Sequence, residues 1–158
     1  MTLTIRPFTP ADLPATAALW HDGWHDAHAT ICPASLTRLR TVESFADRLA
    51  RHAATTRVAR LDGRIAGFFT LKDDELYQFF VAAPARGSGL AAALMQAAED
   101  ALRDTGLTRA WLACTVGNTR AARFYEKSGW TRATTEPFTT ETSDGPYTLD
   151  VWRYEKAL

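Results

Sequence analysis

The sequence predicts an α/β fold organised on a mixed β-sheet, and three observations carry that expectation. Apolar residues at helical spacing alternate with short β-branched and aromatic runs in the order β-α-α-β-β-β-α-β-α-β-β. The run from Glu75 to Ala83 is apolar on both faces, as suits a central strand covered from two sides. A long helical segment separates it from a second buried run, Ala110 to Thr115, which is the pattern of a parallel crossover.

Leu3 to Phe8 alternates like a short first strand. Thr9-Pro10-Ala11-Asp12 then starts a helix: Thr9 caps, Pro10 suits the first helical position, and Asp12 can reach back to the cap. Leu13, Ala17, Trp20, Trp24, Ala27 and Ile31 form one apolar stripe, weakened by Pro14 and Gly23 and ended by Cys32-Pro33. A second helix is predicted over Val42 to His52, with Phe45 and Leu49 inward. Asp62-Gly63 between 57–61 and 64–69 reads as a tight hairpin turn. Gly89 to Thr105 is predicted helical, with Leu90, Leu94, Ala98 and Leu102 on one face and Gly106 as the stop. Asn118 caps a helix reaching Lys127, and strands near 130–135 and 147–154 close the chain. Val151 and Trp152, read as exposed in the last strand, would suit the edge of a homodimer.

Composition narrows the function. The chain has 158 residues, 46% of them apolar, which is enough for the core of a single domain spanning 1–158. Lys plus Arg (18) equals Asp plus Glu (18), so the basic excess of a nucleic-acid binder is missing. No apolar run approaches the ~20 residues that span a bilayer, and Met1 to Pro7 lacks the plan of a signal peptide. Cys32 and Cys114 form no C-x-x-C pair, so neither a disulfide scaffold nor a zinc knuckle is indicated. A cytoplasmic protein with no nucleic-acid or membrane partner is expected.

The chemistry concentrates in Pro84-Ala85-Arg86-Gly87-Ser88-Gly89-Leu90-Ala91, between a strand and a helix. A helix start offers unpaired N–H groups and a partial positive charge, so it attracts phosphate. Gly87 and Gly89 remove the β-carbons that would hold an anion off the backbone, and Arg86 adds a forked cation. Gly87 to Ala92 also satisfies G-x-G-x-x-G/A, but Pro84-Ala85-Arg86 intervenes after the strand and no acidic residue ends the next one. A Walker loop is excluded because no Lys follows the glycines.

Arg86-x-x-Gly89-x-Ala91 resembles the acyl-CoA pyrophosphate loop of the GNAT N-acetyltransferase superfamily, with Ala91 where Gly is commoner. Asn118-x-x-Ala121-x-x-Phe124-Tyr125-Glu126-Lys127-x-Gly129-Trp130 is similar to a second family segment, in the expected order. The resemblance implies a mostly antiparallel sheet with helices on both faces and two parallel strands splayed apart at their C-terminal ends. It implies acetyl-CoA as cosubstrate in that gap, with no metal. Backbone groups of Val81, Ala82 and Ala83 would pair with pantetheine and the acetyl carbonyl. Amides of Gly87, Ser88, Gly89, Leu90 and Ala91 would hold the pyrophosphate beside Arg86. Asn118 would contact the CoA arm, Tyr125 would face the thioester sulfur, and Trp20 and Trp24 would wall the acceptor pocket.

Aminolysis of a thioester needs a base for the amine, a donor for the oxyanion and an acid for the thiolate. Tyr125 can be that acid, and an N–H near Val81–Ala82 that donor. Glu75, six residues before Val81, is similar in position to a glutamate base of some family members, with a water chain as the alternative, and strict alternation would put it on one face with Tyr77, Phe79 and Val81. With Asp73 and Asp74 it points to a cationic acceptor, a small-molecule or peptide amine. His21, His25 and His28 share a helical flank, and pocket-wall residues are the reading preferred to a metal site. Competing classes are a non-catalytic acyl-CoA-binding or regulatory domain and a nicotinamide-dependent oxidoreductase.

Overall fold

The computed structural model describes residues 1–158. After β1 (Leu3–Pro7) the first helix starts as its residues dictate. The Asp12 carboxylate accepts from the Thr9 backbone N–H at 2.8 Å, closing a short turn over Pro10–Asp12. Arg6 grips the same carboxylate at 2.7 and 2.9 Å and holds it down to about 2. Pro14 lies in the first turn of α1 (Leu13–His28), where its missing N–H leaves no bond unmade, so it opens the helix and does not weaken it. The helix stops at His28, and Ile31 of the predicted stripe lies beyond it, exposed. A short α2 (Ala34–Thr37) follows Pro33, a turn of helix that the sequence did not announce. In α3 (Val42–Arg51) the Thr41 hydroxyl accepts from Ser44 N–H at 3.1 Å.

The remaining elements are β2 (Thr56–Leu61), β3 (Arg64–Lys72), β4 (Glu75–Val81), α4 (Leu90–Asp104), β5 (Arg109–Thr115), α5 (Thr119–Lys127), β6 (Thr131–Thr142) and β7 (Gly145–Ala157). Asp62 and Gly63 turn the β2–β3 hairpin with φ of 52° and 82°, both positive as the tight turn requires. The seven strands lie in the order β1-β2-β3-β4-β5-β7-β6, antiparallel except for β4 with β5. The last two strands are much longer than expected and form a hairpin arm over 131–157.

That order corrects one expectation. β7 inserts between β5 and β6, with Thr115 opposite Val151 and Glu136 opposite it on the other side. Val151 is only 3% exposed, and Trp152 is half-buried. Neither residue forms a sheet edge; the edges are β1 and β6.

Neighbouring residues on one strand enter opposite cores. Ala59 and Phe69 pack under α4 with Leu90, Leu94 and Leu102, whereas Val58 and Phe68 pack under α1 and α3 with Trp20, Phe45 and Leu49. The sheet is therefore sandwiched between helices, as the resemblance implied. Close approach of α4 depends on Gly67: a β-carbon there would sit 3.0 Å from the Phe80 carbonyl oxygen and 3.1 Å from a Leu90 methyl.

Two features of β4 position the site. First, β4 and β5 pair at a single point, Glu75 opposite Trp111, with Trp111 N–H donating to the Asp74 carbonyl at 3.1 Å. Beyond it β5 turns to β7, and the two parallel strands separate. Second, β4 carries a bulge. Leu71 faces Leu76 while Thr70 faces Gln78, so Tyr77 is an extra residue with no partner. Strict alternation therefore fails. Phe79 and Val81 turn to the α4–α5 core, and Tyr77 turns to α3, where Arg48 donates to its hydroxyl.

Candidate functional site

A cavity of about 540 Å³ opens where β4 and β5 part, a size that suits a cofactor or substrate site. Of the residues singled out from sequence, Glu75, Val81, Arg86, Gly87, Ala91, Asn118, Tyr125 and Trp24 line it. Ala82, Ala83, Ser88, Gly89 and Leu90 stand outside its wall, and so does Trp20. Trp20 is 1% exposed, packed against Phe45 and Phe68 with ring centroids at 4.7 and 5.4 Å. It is a core residue and not a pocket wall, because one helical turn separates it from Trp24 at the cavity.

The turn before α4 presents backbone donors selectively. Gly87 and Gly89 take φ of 79° and 85°, and a β-carbon at either would meet nothing. Conformation, not crowding, calls for glycine here. Ser88 N–H is bound to the Ala85 carbonyl at 3.2 Å, and Leu90 N–H reaches Ser88 Oγ at 3.3 Å. These two amides are thus engaged within the chain. The amides of Gly87, Gly89, Ala91 and Ala92 have no acceptor in the chain, and Ala92 is an addition to the sequence-predicted set. They are the orphan donors of a helix start, aligned with its positive pole.

Along β4, Ala82 N–H donates to the Ala66 carbonyl of β3 at 2.8 Å. That bond removes Ala82 as an oxyanion donor, correcting half of the Val81–Ala82 expectation. Successive N–H groups of a strand point to opposite sides, so Val81 N–H faces the gap that β5 has vacated. It is left as the strand donor at the cavity.

Glu75 is 6% exposed, and burial raises its carboxyl to about 7. No side-chain hydrogen bond holds it; Lys72 and Arg153 only partly offset the burial. Tyr125 packs beside Phe124 and Tyr154, with centroids at 5.8 and 6.0 Å. Burial, with Cys114 and Tyr154 adding to it, pushes its phenol well above the usual value. No protein group bonds its hydroxyl. Asn118 caps α5, accepting from Ala121 N–H at 3.4 Å. Cys114 is buried and its thiol is pushed up to about 12, so it remains a neutral thiol in the wall.

At the mouth, Asp26 of α1 bridges Arg86 at 3.1 Å and Arg120 of α5 at 3.2 Å. At the opposite end stand Arg40, Arg48 and Tyr77, which the sequence did not single out, with Phe138 and Thr140 of the Thr-rich stretch 131–142, which the sequence places at the border of the acceptor site. One signal for Arg48 was available, since it follows Phe45 by three positions and so lies on the buried stripe of α3. The three histidines take separate partners, although the His21 and His25 rings lie 4.4 Å apart. His21 pairs with Asp22, His25 binds the Arg40 carbonyl at 2.7 Å, and His28 binds the Trp24 carbonyl at 2.9 Å. Burial lowers His28 to about 4, which keeps it neutral.

A mixed seven-stranded sheet that parts around a cavity, with a glycine turn opening a helix beside the gap, defines the architecture of the GCN5-related acetyltransferases. The chain belongs to the acetyltransferase (GNAT) family, whose sequence model matches residues 17–130. It is 37% identical over 107 residues to an uncharacterized N-acetyltransferase of Mycobacterium bovis. That match covers 65% of this chain and spans 66% of the relative's length. Among solved structures, a GCN5-related N-acetyltransferase of Rhodopseudomonas palustris aligns over 100% of this chain and 97% of its own, with TM-score 0.79 and 22% identity. The paia N-acetyltransferase of Thermoplasma acidophilum, solved with coenzyme A, aligns over all of both chains with TM-score 0.76 and 18% identity.

Proposed function

We propose that the protein transfers the acetyl group of acetyl-CoA to an amine by direct attack on the thioester. The observation that carries this reading is the β4–β5 gap, lined by a strand N–H, a buried carboxyl and a half-buried phenol, with unpaired amides at one end. Coenzyme A bound to the Thermoplasma neighbour supports the cosubstrate. Amides of Gly87, Gly89, Ala91 and Ala92 would take the pyrophosphate with Arg86, and Asn118 the CoA arm.

In this mechanism Glu75 takes a proton from the ammonium group, and the free amine attacks the carbonyl carbon. The carbonyl electron pair moves to oxygen, held by Val81 N–H. Collapse breaks the C–S bond, and Tyr125 protonates the departing thiolate. The nitrogen loses its second proton and the phenol is restored, so one proton is released overall. With acetyl-CoA as the donor, a cytoplasmic location is part of the same proposal.

Calorimetry with acetyl-CoA, followed by a panel of amines monitored for free thiol, tests the reading. Heat with CoA and thiol release with an amine are expected. Heat without turnover of any amine would favour the acyl-CoA-binding domain, and no heat would end the assignment. Asp26 competes with phosphate for Arg86 and Arg120, so Asp26→Asn should tighten CoA by about two- to fivefold, the scale of an exposed ion pair. Unchanged or weaker CoA binding in that variant would place neither arginine on the phosphates.

A further inference from the structure

Two arginines are buried at the end of the cavity away from the glycine turn, and neither pairs directly with a carboxylate. Arg40 and Arg48 are each 3% exposed, both line the cavity, and neither is within ion-pair distance of an acid. Arg40 donates to the Glu141 carbonyl at 2.6 Å and to the Thr140 hydroxyl at 2.9 Å, both neutral acceptors, and its Nε is unpartnered. Arg48 donates once, from Nη2 to the Tyr77 hydroxyl at 2.9 Å, which leaves Nε and Nη1 without acceptors.

The acid facing them is already committed. Glu141 accepts from Tyr77, from His52 at 2.9 Å and from Arg51 at 2.6 Å. His28, which also lines the cavity, is held neutral by its burial. The lining therefore keeps a positive excess in a desolvated place, and Arg40 is lowered to about 10 by its burial and by Arg48 beside it. A buried charge without a counter-ion is costly, and the chain retains two side by side facing a cavity. Forked guanidinium donors fit a planar carboxylate. Glu75 lines the same cavity two positions along β4 from Tyr77, so the carboxyl suited to an amine shares the pocket with the cations.

We propose that the acceptor is a small molecule carrying both an amine and a carboxylate, an amino acid in its chemistry, with Arg48 and Arg40 holding the carboxylate while Glu75 receives the amine. This rests on the acetyl-transfer reading, whose acceptor it assigns. To the cationic amine expected from Glu75, Asp73 and Asp74 it adds a carboxylate, held by the two arginines of the same pocket.

The test follows free thiol from acetyl-CoA with the common L-amino acids, each set against its own α-amide, in wild type, Arg48→Gln and Arg48→Lys. At least one amino acid should exceed its amide by about 10- to 100-fold in kcat/KM, the worth of a charged hydrogen bond. The ratio should collapse toward unity in Arg48→Gln and partly recover in Arg48→Lys. A purely structural Arg48 would lower both substrates together and keep the ratio, which overturns the proposal. Amides that match their acids in wild type overturn it without any variant, so a poorly folding Arg48→Gln does not protect it. CoA binding with turnover of no amino acid also overturns it. Absence of CoA binding removes the acetyl-transfer reading itself.

Discussion

Glu75→Gln is expected to lower kcat/KM by about 10²- to 10⁴-fold, the span of general-base catalysis, and to erase one limb of the pH profile. Burial raises the Glu75 carboxyl to about 7, so the wild-type rate should climb as pH rises through that value and the base sheds its proton. The same shift has a stability consequence of definite sign. The carboxyl is near its ordinary 4.5 when unfolded and about 7 when folded, so the folded chain binds the proton more tightly. Its contribution is fully present below about 4.5 and lost as pH rises through about 7. Glutamine stays neutral throughout. The variant should therefore be more stable than wild type at about pH 9, by something on the order of 3 kcal/mol, with little difference at about pH 4. Thermal melts at those two values check the stability claim. A pH–rate limb retained in Glu75→Gln would assign the base to bound water instead.

What could be read from the residues divides by range. Turn and cap chemistry acts over a few positions, and so Thr9 with Asp12, Asp62-Gly63, the Gly87–Gly89 turn and the Asn118 cap all stand where their side chains and φ angles require. The placement of α4 between β4 and β5 followed from its length and from the parallel crossover. Features decided by contacts distant in sequence stayed hidden. The bulge at Tyr77 arises from a register shift against β3, which no local pattern encodes, yet it turns Tyr77 from the α4–α5 core toward Arg48. Burial of Val151 depends on β6 folding back outside β7. Trp20 and Trp24 share one stripe, and only the position of the gap decides that one is core and the other wall. Arg40 and Thr140 meet across 100 positions, too far apart for any spacing argument.

Tyr125→Phe should lower kcat by about 10²-fold or more while leaving CoA affinity and melting temperature nearly unchanged. The substitution removes one oxygen and keeps the ring, so packing against Phe124 and Tyr154 persists. No protein hydrogen bond is lost either, because the chain offers that hydroxyl no partner. Burial keeps the phenol protonated at any working pH, which is the state needed to deliver a proton and the wrong one for a base. The coenzyme A thiolate is a basic leaving group and departs poorly unless a proton meets it. The loss should therefore appear in turnover and not in binding. It should shrink when the acyl donor is changed from acetyl-CoA to a thioester whose thiol is more acidic, since such a thiolate needs less help. A full rate in Tyr125→Phe, or a loss that is the same for both donors, would show that the hydroxyl contributes nothing to C–S cleavage.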